Sequence, residues 1–129
     1  MNLRIAINGY GRIGRGVMRA IIERADTQAL EIVAINQPGD PDSIALATRY
    51  DSNHGRMQAP VSAGKNSLTI GEQSIQLLPG ESATDLPWER LGIDLVLYCS
   101  GQPANREQGN AHLTAGANKI LFSNPATLL

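Results

Sequence analysis

The stretch Leu3-Arg4-Ile5-Ala6-Ile7-Asn8-Gly9-Tyr10-Gly11-Arg12-Ile13-Gly14 decides the fold. Its apolar run, residues 4–8, stops at a glycine and reads as a buried strand. From Ile13 the period changes. Ile13, Val17 and Ile21 fall at i, i+4 and i+8, with Met18 and Ile22 beside them. This is the apolar stripe of a helix ending near Arg24. Arg15 and Arg19 lie on another face and read as solvated. Glu31-Ile32-Val33-Ala34-Ile35-Asn36 predicts a second strand. Strand, glycine turn, helix and strand over about 34 residues make one βαβ unit.

Gly9-Tyr10-Gly11-Arg12-Ile13-Gly14 matches G-x-G-x-x-G where that pattern has meaning, after a strand and opening a helix. Gly9 permits the tight turn, Gly11 lets a pyrophosphate approach the backbone, and Gly14 lets helix and strand pack closely. The free amides and dipole of the helix start favour an anion, and Arg12 adds a positive charge. A dinucleotide partner is expected. Its ribose usually meets Asp or Glu about 20 residues on, where this chain has Gln37. Gln37 can hydrogen-bond a hydroxyl but lacks the charge that repels a 2′-phosphate. NAD is the expected cofactor, with NADP not excluded. Asp40 could replace the acid only if the turn folds back; as a plain turn residue it does nothing for the ribose.

Outward from this unit, Gln37-Pro38-Gly39-Asp40-Pro41 is a turn cluster. Asp42 or Ser43 is expected to cap a helix running to about Tyr50. Residues 51–55 read as a loop. Residues 61–63, 67–70 and 74–78 read as short strands, with Gly71-Glu72 as a hairpin turn. This middle part breaks the βα alternation and reads as an antiparallel insertion. Residues 87–91 suit one helical turn, 93–99 a strand, 106–115 a helix ended by Gly116, and 119–123 a last strand. The expected fold is α/β, a Rossmann-type doubly wound, mostly parallel sheet with a short antiparallel β insertion. One domain is expected over residues 1–129.

Composition agrees with that class. Hydrophobic residues at 42% against 18% charged describe a globular chain rather than a disordered one. A net charge of -1 offers no basic footprint for nucleic acid. No apolar run reaches the ~18 residues of a membrane span, and the N-terminus lacks the pattern of a signal peptide. One Cys excludes an intrachain disulfide and suits a reducing compartment. Neither nucleic acid nor membrane is expected as a partner, and the expected location is cytoplasmic. Cys99 reads as a buried thiol and Trp88 as a packing anchor. His54 and His112 lie too far from each other and from Cys99 for a metal signature.

The motifs together resemble the glyceraldehyde-3-phosphate dehydrogenase family. The runs are Ala6-Ile7-Asn8-Gly9-Tyr10-Gly11-Arg12-Ile13-Gly14-Arg15, Val33-Ala34-Ile35-Asn36, and Tyr50-Asp51-Ser52-Asn53-His54-Gly55-Arg56. Ser100-Gly101, Ala111-His112-Leu113, Ala115-Gly116-Ala117 and Ser123 follow in the same order. Leu86-Pro87-Trp88, Leu91-Gly92, Arg106-Glu107-Gln108-Gly109 and Lys119-Ile120-Leu121-Phe122-Ser123 are more similar to the D-erythrose-4-phosphate dehydrogenase branch. The resemblance implies an NAD-binding domain of a homotetrameric dehydrogenase. That enzyme would oxidise erythrose 4-phosphate to 4-phosphoerythronate, for pyridoxal phosphate synthesis. It implies cofactor contacts from Arg12 and Ile13 in the turn, Asn36 and Gln37 after the second strand, Ser100 and Gly101 after a later strand, and Ser123 near the nicotinamide. The chain departs from the family at Gln37, usually acidic, and at Glu81, often Arg, with Pro79 and Gly80 beside it.

The family reaction uses a Cys thiolate and a His from a second, catalytic domain. No matching motif occurs in these 129 residues, so no catalytic residue is assigned. The sugar-phosphate substrate is expected to bind only with that further domain, and this part alone to be inactive. Three other readings stay open. One is a glycolytic glyceraldehyde-3-phosphate dehydrogenase domain. Another is a standalone nucleotide-binding or redox-sensing module without chemistry of its own. The third is a decayed scaffold that no longer binds, which Gln37 and Glu81 allow.

Overall fold

Strand β1 (Leu3–Asn8) pairs in parallel on both sides, with β2 (Leu30–Asn36) and with β8 (Leu95–Tyr98). The structure, a computed structural model, describes residues 3–23, 30–51, 55–56, 60–71, 73–79, 85–99 and 106–122. The main sheet runs β5-β6-β7-β2-β1-β8-β9, with β5 Val61–Ala63, β6 Ser67–Ile70, β7 Gln73–Leu78 and β9 Lys119–Phe122. Strands β7, β2, β1, β8 and β9 are mutually parallel, and β5 and β6 add an antiparallel edge to β7. The middle strands are thus only partly an insertion, because β7 is the third parallel strand of the main sheet. Helix α1 (Arg12–Glu23) links β1 to β2, and α2 (Pro41–Arg49) follows β2. A two-residue pair, β3 (Tyr50–Asp51) with β4 (Gly55–Arg56), replaces the ends of the expected loop. Helices α3 (Trp88–Leu91) and α4 (Arg106–Thr114) flank β8 in sequence.

Both faces of the sheet are buried, which is why its strands read as near-continuous apolar runs. Ile5 and Ile7 join Met18 of α1 and Ile44 and Ala45 of α2 in one core cluster. Ala6 and Val96 point the other way, to Trp88, Ile93 and Ala117. The β1–β2 register slips between Ile5 and Ala6, where Ile5 faces Ile32 and Ala6 faces Ala34. This bulge at Val33 puts Ile32 and Ile35, three residues apart, on the same core face.

The capping residue of α2 is Asp40, rather than Asp42 or Ser43. Its carboxylate accepts the Ser43 N–H at 2.9 Å and the Ser43 hydroxyl at 2.8 Å. Pro41 explains the shift, because its fixed φ and missing N–H suit the first helical position. Ile13 departs from the predicted stripe as well. At 49% exposure it stands outside the core, which takes Met18 with Val17, Ile21 and Ile22 packed beside it. Arg15 and Arg19 are not simply solvated. Arg15 Nη1 donates to the Tyr10 carbonyl at 3.3 Å, and Arg19 Nε to Glu23 Oε1 at 3.0 Å. No helix among the described residues is long and apolar enough to cross a membrane.

Candidate functional site

Chain order in the sheet reverses at β1. The strands β1, β2 and β7 step one way, then β8 and β9 step the other. Ligands of open α/β sheets bind outside the carboxyl ends of the strands at such a switch point. The glycine turn lies there. Backbone bonds continue past the strand ends, from Gly9 N to Asn36 O at 3.0 Å, Gln37 N to Leu78 O at 3.0 Å, and Cys99 N to Asn8 O at 2.8 Å. The carboxyl ends of β7, β2, β1 and β8 are therefore tied together around the turn.

The three glycines have different physical causes. Gly9 has φ 96°, a left-handed conformation that side chains disfavour. At Gly14 a Cβ would lie 2.5 Å from Gly9 O and 3.3 Å from Ile7 Cγ2, so the glycine permits close helix–strand contact. Gly11 has neither reason. Its φ is not positive, and nothing lies within 4 Å of its Cβ position. The space over Gly11 is open, as a ligand approaching the backbone requires.

Gly11 also starts α1 without a capping side chain. The first helical bond runs from Arg15 N to Gly11 O at 2.9 Å. The N–H groups of Arg12, Ile13 and Gly14 precede that bond and have no intrahelical acceptor. No acidic residue stands in the first turn of α1, and Arg12 is exposed there. Free donors, an uncapped dipole and a cation together favour an anion. Exposed Ile13 sets an apolar surface beside them.

Asn8 and Asn36 face each other in register, and Asn36 Nδ2 donates to Asn8 Oδ1 at 2.8 Å. Asn36 is buried, so it braces the strand ends from within. Gln37 is half-buried at the edge of the turn, and its Oε1 accepts the Tyr10 N–H at 2.7 Å. The side chain of Tyr10 is buried, with its hydroxyl 2.7 Å from Thr48 Oγ1, which donates to Ile44 O at 2.8 Å. Burial pushes the Tyr10 phenol up to about 12. Tyr10 thus pins the turn to α2 and to Gln37. Sequence reading missed it, because Tyr10 occupies a variable position of the glycine motif.

Asp40 does not fold back toward the ribose position. Both of its oxygens serve the start of α2, and these hydrogen bonds hold its carboxyl below the usual carboxylate range. Ser100, Gly101 and Ser123, with Gly80, Glu81 and His54, lie outside the described residues. Cys99 is buried and free of disulfide, as expected. His112 is buried against Trp88, whose Nε1 donates to His112 Nδ1 at 3.0 Å. Burial pushes the imidazole down to about 4, so it sits in the core as a neutral acceptor. No cluster of metal-ligating side chains occurs among the described residues. An open groove of about 480 Å³, lined by Gln76, Leu78, Pro79, Asp85 and Arg90 among others, lies between β7 and α3. No residue of the glycine turn lines it.

Comparison with known families bears directly on the turn. Residues 3–106 match the family model described as "Glyceraldehyde 3-phosphate dehydrogenase, NAD binding domain". The matched span takes in the turn, Gln37 and the parallel core from β1 to β8.

Proposed function

This chain belongs to the glyceraldehyde 3-phosphate dehydrogenase NAD-binding domain family, and from that premise we propose that it seats NAD on the Gly9–Gly14 turn, as the cofactor unit of a phosphorylated-aldose dehydrogenase. The parent of such a domain is an NAD-dependent oxidoreductase. The observation that carries the seating is Gly11, a glycine that neither backbone conformation nor packing explains. The residues present fit a dinucleotide. The N–H groups of Arg12 and Ile13, with the Arg12 guanidinium, suit the pyrophosphate, and Gln37 suits the adenine ribose. Ser100 and Gly101 follow β8 in sequence and Ser123 follows β9, both strands parallel to β1, which supports placing the nicotinamide half at their carboxyl ends. When bound, the nicotinamide supplies a two-electron oxidant. This chain's part is to bind and orient it.

The substrate we propose is erythrose 4-phosphate. The runs Leu86-Pro87-Trp88, Arg106-Glu107-Gln108-Gly109 and Lys119-Ile120-Leu121-Phe122-Ser123 support that branch. The single cysteine supports a nucleophile supplied from outside these residues. Cys99 is buried at the end of β8, and a thiol shielded in this way is a poor attacking group. On this reading residues 1–129 form one cofactor domain, inactive alone, within a homotetrameric cytoplasmic enzyme. The test is kcat/KM for erythrose 4-phosphate against glyceraldehyde 3-phosphate, with this domain joined to its catalytic partner. Preference for the four-carbon substrate supports the branch; preference for the triose phosphate assigns the chain to the glycolytic enzymes.

A further inference from the structure

The Gln37 side chain has two ends of opposite hydrogen-bonding sense, and the structure occupies one of them. Oε1 accepts the Tyr10 backbone N–H at 2.7 Å. Because the facing group is a donor, only the oxygen can sit there, and the chemistry fixes the orientation of the amide. The remaining end, Nε2, can only donate. A carboxylate in this place would differ in two ways. Its second oxygen would accept the proton of a ribose hydroxyl, and its charge would repel a phosphate. An amide N–H donates to a hydroxyl oxygen and to a phosphate oxygen alike.

The neighbouring carboxylates do not take over the missing role. Asp40 is bound through both oxygens to Ser43 at the start of α2. Asp42 sits in the first turn of that helix, where it complements the dipole. Glu31 pairs with Arg4 near the opposite end of β1 and β2. On the other side of the turn stands the exposed Arg12 cation. The position that normally excludes a 2′-phosphate therefore offers a neutral donor, and Asp40 and Glu31 are engaged elsewhere.

We infer that this site accepts a 2′-phosphate as readily as a 2′-hydroxyl, so that it takes NADP as well as NAD, with Gln37 as the specificity-determining residue. The inference rests on the seating of the dinucleotide on the Gly9–Gly14 turn proposed above.

Calorimetric titration of the chain with NAD and with NADP, as wild type and as Gln37→Glu, tests it. The introduced carboxylate would keep an oxygen for the Tyr10 N–H and nearly the same volume, and thermal unfolding checks that the variant is folded. Dissociation constants of the wild type for the two nucleotides should agree within about tenfold, and Gln37→Glu should shift their ratio toward NAD by at least about tenfold. Two results overturn the inference: wild type preferring NAD by about a hundredfold or more, or a ratio that Gln37→Glu leaves unchanged. If the variant does not fold, the wild-type ratio decides alone. If neither nucleotide binds, the seating on the turn fails first, and this inference fails with it.

Discussion

A β-carbon on Gly14 would lie 2.5 Å from the carbonyl oxygen of Gly9. Backbone oxygen cannot yield as a flexible side chain does, so α1 would have to move away from β1. Gly14→Ala should cost about 1–3 kcal/mol, the usual penalty of overpacking. Gly11 meets nothing within 4 Å, so Gly11→Ala should leave stability within about 0.5 kcal/mol, a small loss of capping offset by a stiffer unfolded chain. Its NAD affinity should nevertheless fall, because the new methyl group would stand where the proposed seating brings the pyrophosphate. Urea unfolding and NAD titration of both variants separate the two roles. A Gly11→Ala chain that binds NAD like wild type would remove the ligand explanation of that glycine.

Gly16 lies inside α1, also with nothing within 4 Å of its Cβ position. It carries the conformational entropy cost of glycine in a helix without a packing reason. Gly16→Ala should stabilise the fold by up to about 1 kcal/mol, seen as a thermal midpoint raised by about 3–6 °C. An unchanged or lower midpoint would mean that Gly16 serves an approach by another molecule.

His112 makes stability depend on pH. Its imidazole is desolvated, and Nδ1 accepts from Trp88, so the folded state holds it neutral down to about 4. The unfolded chain takes up the proton near the ordinary value of 6.5. This contribution to stability is therefore complete above pH 6.5 and is lost as pH falls toward 4. The slope is at most about 1.4 kcal/mol per pH unit. Denaturant unfolding between about pH 7 and 5 should show it in wild type and not in His112→Gln, whose amide can still accept from Trp88. Equal slopes in the two proteins would contradict the assignment.

Asp40 caps α2 through both carboxylate oxygens, and the proposed seating gives it no part in holding the ribose. Asp40→Ser keeps a capping oxygen and should leave both thermal stability and NAD affinity close to wild type. Asp40→Ala should lower the unfolding midpoint with NAD affinity retained in the folded protein. Loss of NAD affinity in both variants, with the fold intact, would return Asp40 to the ribose site.

The βαβ unit was legible because its signals agree. A short apolar run, a glycine turn and a 3.6-residue stripe stand in the one order that a Rossmann opening allows. Alternation and turn residues delimit the strands at Val61–Ala63 and Ser67–Ile70 at their observed bounds. The pairing of β7 with β2 was not legible, because parallel partners are joined by long-range contacts that leave no local pattern. Ile13 misled for a related reason. A helical period identifies a face, but at the start of α1, just after the carboxyl end of β1, Ile13 on that face is exposed. At the site, the glycines could be read from their motif. The bond between Gln37 and Tyr10 could not, because it links residues 27 apart in sequence. Trp88, which reads as a packing anchor, and His112, which reads as no metal ligand, are partners in one buried pair.

The seating of the dinucleotide is tested most directly by an amide NMR titration of the ¹⁵N-labelled chain with NAD. The account predicts saturable shifts of the Gly11, Arg12 and Ile13 backbone amides and of the Gln37 side-chain amide. Saturable binding that leaves those signals unmoved and shifts residues around the β7–α3 groove instead would contradict it.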